Sequence, residues 1–125
     1  MTGSVLIIGE DPARIDFGAP GAPPNMSAQK VMAGLNGSRD RLIAAGHDTD
    51  ILLTKATAMV EDQIAEAMSG RKYDVIVIGS GLRAVPTMAE EFEKLMNALH
   101  RQVPSAHLAF NSAPDDSDAA ALRWL

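Results

Sequence analysis

The chain has 125 residues, the size of one ordinary domain, and 46% of them are hydrophobic, which is enough to build a buried core. A formal charge of −5, with one Trp, one Tyr and three Phe, argues against a nucleic-acid-binding surface, because such a surface needs positive charge and stacking side chains. The lack of cysteine excludes disulfides, thiol nucleophiles and zinc–thiolate sites.

Four short apolar segments predict β-strands. Residues 5–8 and 74–79 are apolar without alternation, as expected of strands that are covered on both faces. Weaker segments of the same kind lie at residues 50–54 and 106–110. We therefore expect four strands, at least two of them in the interior.

Helical patterns separate these strands. Apolar residues recur at helical spacing in residues 27–45, 58–69 and 88–102, and a short last helix should follow Asp116. Strand and helix thus alternate four times along the chain.

Several residues are typical of helix ends. Ser27 or Asn25 is a candidate cap of the first helix, and Gly46 and Gly70 are candidate stops of the first and second. The segment Thr87–Glu90 fits a capping box for the third helix.

The alternation predicts one α/β domain over residues 1–125, with three layers. We expect a mainly parallel four-stranded sheet in the order 2-1-3-4, with helices on both faces, as in a truncated flavodoxin-like sheet. In such a sheet, ligands bind beyond the carboxyl ends of strands 1 and 3, where the connections leave toward opposite faces.

Two loops should meet at that edge. The first, residues 9–26, holds four of the seven prolines and is far longer than the usual connection of about 2–6 residues. The second comprises residues 79–86. The candidate ligand-binding residues of these loops and of the segment after the last strand are Glu10, Asp11, Arg14, Asp16, Asn25, Ser80, Gly81, Arg83 and Asn111.

The second loop permits two functional interpretations. Residues 79–84 fit the glycine pattern of dinucleotide-binding folds, but Pro86 and the Thr87 cap predict a helix that begins too late, so a simple glycine turn explains the pattern better. The loop amides and Arg83 could instead bind a phosphate or carboxylate. Alternatively, Arg83 is solvated or pairs with Glu10 or Asp11 of the first loop.

The paired acids Glu10 and Asp11 are of a type that binds magnesium. Residues 5–12 resemble the opening of response-regulator receiver domains, in which acids after the first strand bind magnesium beside a phospho-accepting aspartate. Here the third strand ends in Gly79-Ser80, where a receiver carries that aspartate. We therefore expect neither phosphotransfer nor a metal site, although a receiver-like interaction module stays open.

Motifs along nearly the whole chain resemble those of a family of small, uncharacterised bacterial α/β proteins. They are Asp11-Pro12, Asp16-Phe17, Pro23-Pro24, residues 78–83 with Pro86, Phe92-Glu93-Lys94, residues 110–116 and Trp124-Leu125. The resemblance implies one compact domain of bacterial origin. Because that family has no assigned reaction, the resemblance implies no cofactor and no catalytic residue.

The sequence shows neither of two features that indicate where a protein is located, a membrane span and a secretory signal. No apolar run approaches the roughly 20 residues of a membrane span. Residues 1–4 lead directly into the first strand without the basic region of a secretory signal. We expect a cytoplasmic protein that binds neither membranes nor nucleic acid.

The sequence leaves two functions open and does not settle whether the protein is an enzyme. The first is binding of a small ligand, with an anionic or phosphorylated molecule as a candidate, at the carboxyl edge of strands 1 and 3. The alternative is a non-catalytic, receiver-like interaction or regulatory module. A homodimer is expected for it because the edge strand, residues 106–110, holds no proline or lysine that would discourage pairing.

Overall fold

The computed structural model describes residues 2–125 and contains one all-parallel sheet. Its strands are β1 (Ser4–Glu10), β2 (Asp48–Thr54), β3 (Val75–Ile78) and β4 (His107–Phe110). Their order is β2-β1-β3-β4, which confirms the predicted topology.

Helices cover both faces of this sheet, so the three predicted layers are confirmed. The helices are α1 (Ala28–Ala44), α2 (Val60–Met68), α3 (Ser80–Ala84), α4 (Ala89–Gln102) and α5 (Ser117–Leu122). Helices α1 and α5 pack on one face, and α2, α3 and α4 pack on the other. None of the helices in residues 2–125 is both long and apolar enough to cross a membrane.

The core lies on both sides of β1 and β3. Successive side chains of a strand point to opposite faces, and accordingly Ile7 packs with Leu35 of α1 while Ile8 packs with Leu95 of α4. All four side chains are almost fully buried. Burial of one such side chain contributes about 1.5–3 kcal/mol, which explains why these strands are apolar without alternation.

The chain directions create a crevice between β1 and β3. Helix α1 leaves β1 toward one face, whereas α3 and α4 follow β3 on the opposite face. The pairing of β1 with β3 runs to Ile8 and Ile78, and beyond it the Gly79 amide donates to the Ile8 carbonyl over 2.8 Å. A Cβ atom at Gly79 would lie only 3.1 Å from that oxygen, so the glycine lets the two strands approach.

The predicted helix ends are confirmed for α1 but not for α4. Ser27 Oγ accepts from the Lys30 amide over 3.2 Å, and Gly46 follows the helix with a φ of +95°. The predicted capping box at Thr87 was wrong: a 3-10 turn at Pro86–Met88 precedes α4, and the cap position falls on Met88, which makes no side-chain cap bond. Proline favours the start of helical geometry, so Thr87 already lies inside a turn.

The short helix α3 was not predicted. It begins at Ser80, directly after β3, so the expectation that helical structure starts well after the glycines was also wrong. Five residues are too few to display an apolar period, and two glycines and a proline nearby obscured the helix in the sequence.

Candidate functional site

A cavity of about 270 Å³ opens at the carboxyl ends of β1 and β3. Its base is formed by Gly9 and Gly79 at the ends of the two strands, and the first loop covers one side of it. Apolar side chains form most of its walls: Ile15, Phe17, Met26, Val31, Leu35, Val85 and Met88. The cavity therefore lies in the crevice created by the chain topology.

Six of the nine candidate site residues line this cavity: Glu10, Arg14, Asp16, Ser80, Gly81 and Asn111. They come from the end of β1, the first loop, the start of α3 and the residue after β4. The topology thus brings together residues as distant in the chain as Glu10 and Asn111.

The other three candidates lie outside the lining. Asp11 Oδ2 is 2.6 Å from Lys55 Nζ, and Asn25, with a φ of 59°, accepts from Lys30 Nζ through its backbone carbonyl. Arg83 donates to the backbone carbonyl of Asn111 and stacks over the Phe110 ring, 5.1 Å from its centre. Arg83 therefore pairs with neither Glu10 nor Asp11, and these two acids have separate surroundings.

A partly buried ion pair holds the first loop against α4 and the end of β2. Two nitrogens of Arg14 face the Glu91 carboxylate at 2.9 and 3.3 Å, and Nη1 also donates to the Thr54 carbonyl over 3.0 Å. Glu91 is only 1% exposed and accepts further bonds from the hydroxyls of Thr54 and Thr57 over 2.9 and 3.0 Å. The hydrogen bonds of the Arg14 guanidinium to Glu91 and Thr54 therefore fix the position of the loop.

The hydrogen bonds decide the ionisation of Glu91. Burial by itself raises the pKa of this carboxyl, but the hydrogen bonds from Arg14, Thr54 and Thr57 outweigh burial and hold the pKa below its ordinary value of 4.5. Glu91 is consequently a stable anion at neutral pH.

Glu10 has the opposite surroundings. Its side chain is 9% exposed, and the nearest cation, Arg14 Nη2, is 4.0 Å away. Burial raises the pKa of Glu10 above 4.5, with smaller contributions from the nearby Glu91 and Asp11, although Arg14 opposes the shift. No donor among residues 2–125 makes a hydrogen bond to this carboxyl, and no fully buried side-chain oxygen or nitrogen in that part of the chain lacks a partner. Its oxygens therefore keep accessible surface, and Glu10 is one of the residues that line the cavity.

The Asn111 side chain connects three elements by hydrogen bonds at the cavity. This amide is 3% exposed; its Oδ1 accepts from the Ser80 amide over 2.8 Å, and its Nδ2 donates to Ser117 Oγ over 2.8 Å. The end of β4 is thereby linked to the first residues of α3 and α5. The Ser80 amide, which the sequence suggested as an anion donor, already has a partner.

The lining therefore offers acceptors more readily than free donors. Ser80 contributes a hydroxyl without a hydrogen-bonding side-chain partner in residues 2–125, and Glu10 contributes an open carboxyl. No histidine is present among the described lining residues, so the carboxylates of Glu10 and Asp16 are the groups of basic character on this surface. Such an arrangement suits binding of a donor-bearing molecule.

Sequence reasoning missed Glu91 and its partner Thr54. One signal was present: Glu91, Leu95 and Ala98 follow helical spacing, so the acid lies on the apolar, buried stripe of α4. A charged residue on a buried stripe requires a partner of opposite charge. The sequence did not identify Arg14 as that partner, because the two are 77 positions apart.

A second groove lies at the amino ends of the strands, lined by His47, Asp74, His107 and Trp124 among others. His47 Nδ1 accepts from the Gly3 amide over 2.9 Å, and the His107 ring stacks on Trp124 with 5.1 Å between centroids. Both histidines thus make structural contacts far from the two predicted loops.

Comparison with known proteins adds no functional assignment. No protein-family model matches the chain, and a search of curated proteins returns no match. The function must therefore be inferred from the chemistry of the cavity itself.

Proposed function

We propose that the protein binds a small molecule in the cavity between β1 and β3. The observation that carries this proposal is the meeting, at one switch point of a parallel sheet, of an apolar cavity and an open, nearly buried carboxyl. Ligand sites in open α/β sheets occur at this position, and they combine apolar walls with a few polar groups.

The size of the cavity limits the ligand. Its volume of about 270 Å³ is slightly below the range of about 300–1,000 Å³ that is typical of drug-sized ligand pockets. A compact ligand with one ring or a short apolar chain is therefore favoured over a dinucleotide.

An anionic or phosphorylated ligand has less support from the surrounding contacts. Arg14 is bound by Glu91, the Ser80 amide by Asn111, and Arg83 lies outside the lining. A phosphate would have to displace Glu91 from Arg14 and would then approach Glu10. An anionic ligand remains a prediction, and an observed displacement of Glu91 from Arg14 would support it.

The experiment is a titration of the protein with benzylamine, benzyl alcohol and benzyl phosphate, followed by amide NMR. We expect at least one probe to shift the amides of residues 9, 35 and 81, which line the cavity. Ala22→Phe should abolish these shifts by filling the cavity, whereas Ala33→Phe, at an exposed position of α1, should not. If all three probes leave these amides unchanged, the proposed function is wrong.

The alternative function, a receiver-like interaction module that forms a homodimer, is favoured by one surface. Strand β4 is at an edge of the sheet, and Phe110, Leu122 and Trp124, on or near it, are 42%, 49% and 49% exposed. Exposed apolar groups beside an unpaired strand edge are typical of self-association sites. A flavodoxin-like relationship, a bacterial source and a cytoplasmic location also stay predictions from the sequence.

A further inference from the structure

The charges around the cavity are predominantly negative. Glu10 and Asp16 contribute carboxylates to the lining, and Arg14 is the one cation among the described lining residues. Arg14 is already paired with the buried Glu91 at 2.9 Å. The lining and the buried Glu91 thus contain three carboxylates and one guanidinium, so an incoming group meets a surplus of negative charge.

The open carboxyl is also the polar group best placed to bind something new. The amide of Ser80 donates to Asn111, and Asp16 Oδ1 accepts from the Gly18 amide over 3.0 Å. The Glu10 carboxyl, by contrast, lies 4.0 Å from Arg14 Nη2 and accepts no hydrogen bond from residues 2–125. Burial of a carboxylate without a hydrogen-bond donor costs free energy. A cationic donor in the cavity would therefore bind most favourably at Glu10.

On the basis of the proposed function, we propose that the ligand carries a protonated amine that binds Glu10, with its apolar part against the walls around Phe17 and Met88. A charged donor makes a stronger bond to a carboxylate than a neutral one. The apolar walls suit the remainder of an organic amine.

A bare divalent cation fits the cavity less well than an amine. Calcium and magnesium take about six or more oxygen ligands, whereas residues 2–125 contain no group of three His, Cys, Asp or Glu side chains arranged to hold a metal ion. An ammonium group needs only a few acceptors, and the Ser80 hydroxyl is available on the same lining.

The test compares the affinities of benzylamine, benzyl alcohol and benzyl phosphate for the wild-type protein near neutral pH, from the NMR titration. We expect benzylamine to bind at least about tenfold more tightly than the isosteric alcohol, because a hydrogen bond between charged groups is stronger than a neutral one. Benzyl phosphate should bind most weakly. This ranking in the wild-type protein does not depend on the folding of any variant.

Glu10→Gln removes the charge at nearly constant volume and should reduce the preference for benzylamine to within about twofold. Glu90→Gln is the matched control, since the Glu90 side chain is 73% exposed on α4 and outside the cavity lining; it should leave the ranking unchanged.

The outcomes separate this inference from the proposed function. If the alcohol or the phosphate binds as tightly as the amine, or if Glu10→Gln keeps the preference, the amine assignment is wrong while binding that is sensitive to Ala22→Phe still supports the cavity. If no probe binds, the proposed function fails and this inference fails with it.

Discussion

At the candidate site, the Arg14 guanidinium lies near two carboxyls whose pKa values are shifted in opposite directions. Glu91 has a bidentate contact with Arg14 and two threonine hydroxyls, and the hydrogen bonds lower its pKa despite burial. Glu10 is 4.0 Å from the same arginine, and burial raises its pKa. Titratable groups with shifted pKa values concentrate at functional sites, and here the opposite shifts distinguish the structural anion, Glu91, from Glu10, which lines the cavity.

The first prediction concerns the structural anion. Glu91→Gln should reduce the free energy of unfolding by about 1–3 kcal/mol at neutral pH, since it leaves the partly buried Arg14 and two hydroxyls without their full acceptor. Glu90→Gln, one residue away on the exposed side, should stay within about 0.5 kcal/mol of the wild type. Urea unfolding followed by circular dichroism measures both, and equal stabilities of the two variants would contradict the assignment.

The same ion pair should make stability depend on pH. The folded pKa of Glu91 is below its ordinary value of 4.5, so the folded state binds this proton less readily than the unfolded state. The stabilisation by Glu91 is therefore complete at pH values above 4.5 and is lost as the pH falls through the folded pKa. The difference between wild type and Glu91→Gln should disappear over that acidic range.

The secondary-structure elements differ in how far the sequence could predict them. The central strands were predictable because Val5, Ile7 and their neighbours are apolar on both faces, and α1 because Ser27 and Gly46 delimit it. Helix α3 and the 3-10 turn at Pro86–Met88 are too short to show a period. Their geometry depends on contacts with distant residues, such as the bond from the Ser80 amide to Asn111.

Contacts between elements explain the presence of a glycine within α1. A Cβ atom at Gly34 would lie 2.8 Å from Pro114 Cβ and 2.9 Å from the Asp115 amide nitrogen, so the helix packs directly against the turn that precedes α5. At Gly37, three residues later, the closest atom to such a Cβ is Nη1 of Arg41 at 3.2 Å, the end of a flexible side chain. The two glycines therefore have different roles in one helix.

Alanine substitutions distinguish the two glycines. Gly37→Ala should stabilise the protein by about 0.5–1 kcal/mol, because alanine favours the helix. Gly34→Ala should destabilise it by about 1–3 kcal/mol, since overpacking against the backbone outweighs that gain. Thermal unfolding of the two variants provides the comparison, and a Gly34→Ala protein as stable as Gly37→Ala would show that α1 does not pack closely against this turn.

At the scale of the whole molecule, the position of the cavity was predictable and its chemistry was not. The strand order alone indicated the switch point between β1 and β3, and six of the nine candidate residues line the cavity there. The direction in which a side chain of a long loop points depends on which distant residues it contacts, and no sequence pattern identifies those residues. Thus Asp11 points to Lys55 and Arg83 to the Asn111 carbonyl, whereas Glu10 and Arg14 point inward.

The outer edge of the sheet determines whether this molecule can pair with a second copy. The His107 amide donates to the Asp74 carbonyl over 3.0 Å, so the alternating residues Leu108 and Phe110 direct their backbone groups outward. Arg123 caps one of these groups, the Phe110 carbonyl, over 3.0 Å. Antiparallel pairing of two β4 strands about a two-fold axis would use the remaining groups and the part of the Phe110 ring that Arg83 leaves exposed.

If the protein acts as an interaction module, sedimentation equilibrium at high micromolar concentration should detect a dimer. Phe110→Lys should weaken its association at least about tenfold, since it replaces an exposed apolar ring on the pairing edge by a charge that discourages strand pairing. Ile43→Lys is the control, because Ile43 is similarly exposed, at 51% against 42% for Phe110, but lies at the end of α1 away from β4. A monomer at every concentration, or equal effects of the two substitutions, would exclude pairing through β4 and leave the cavity as the functional feature of the fold.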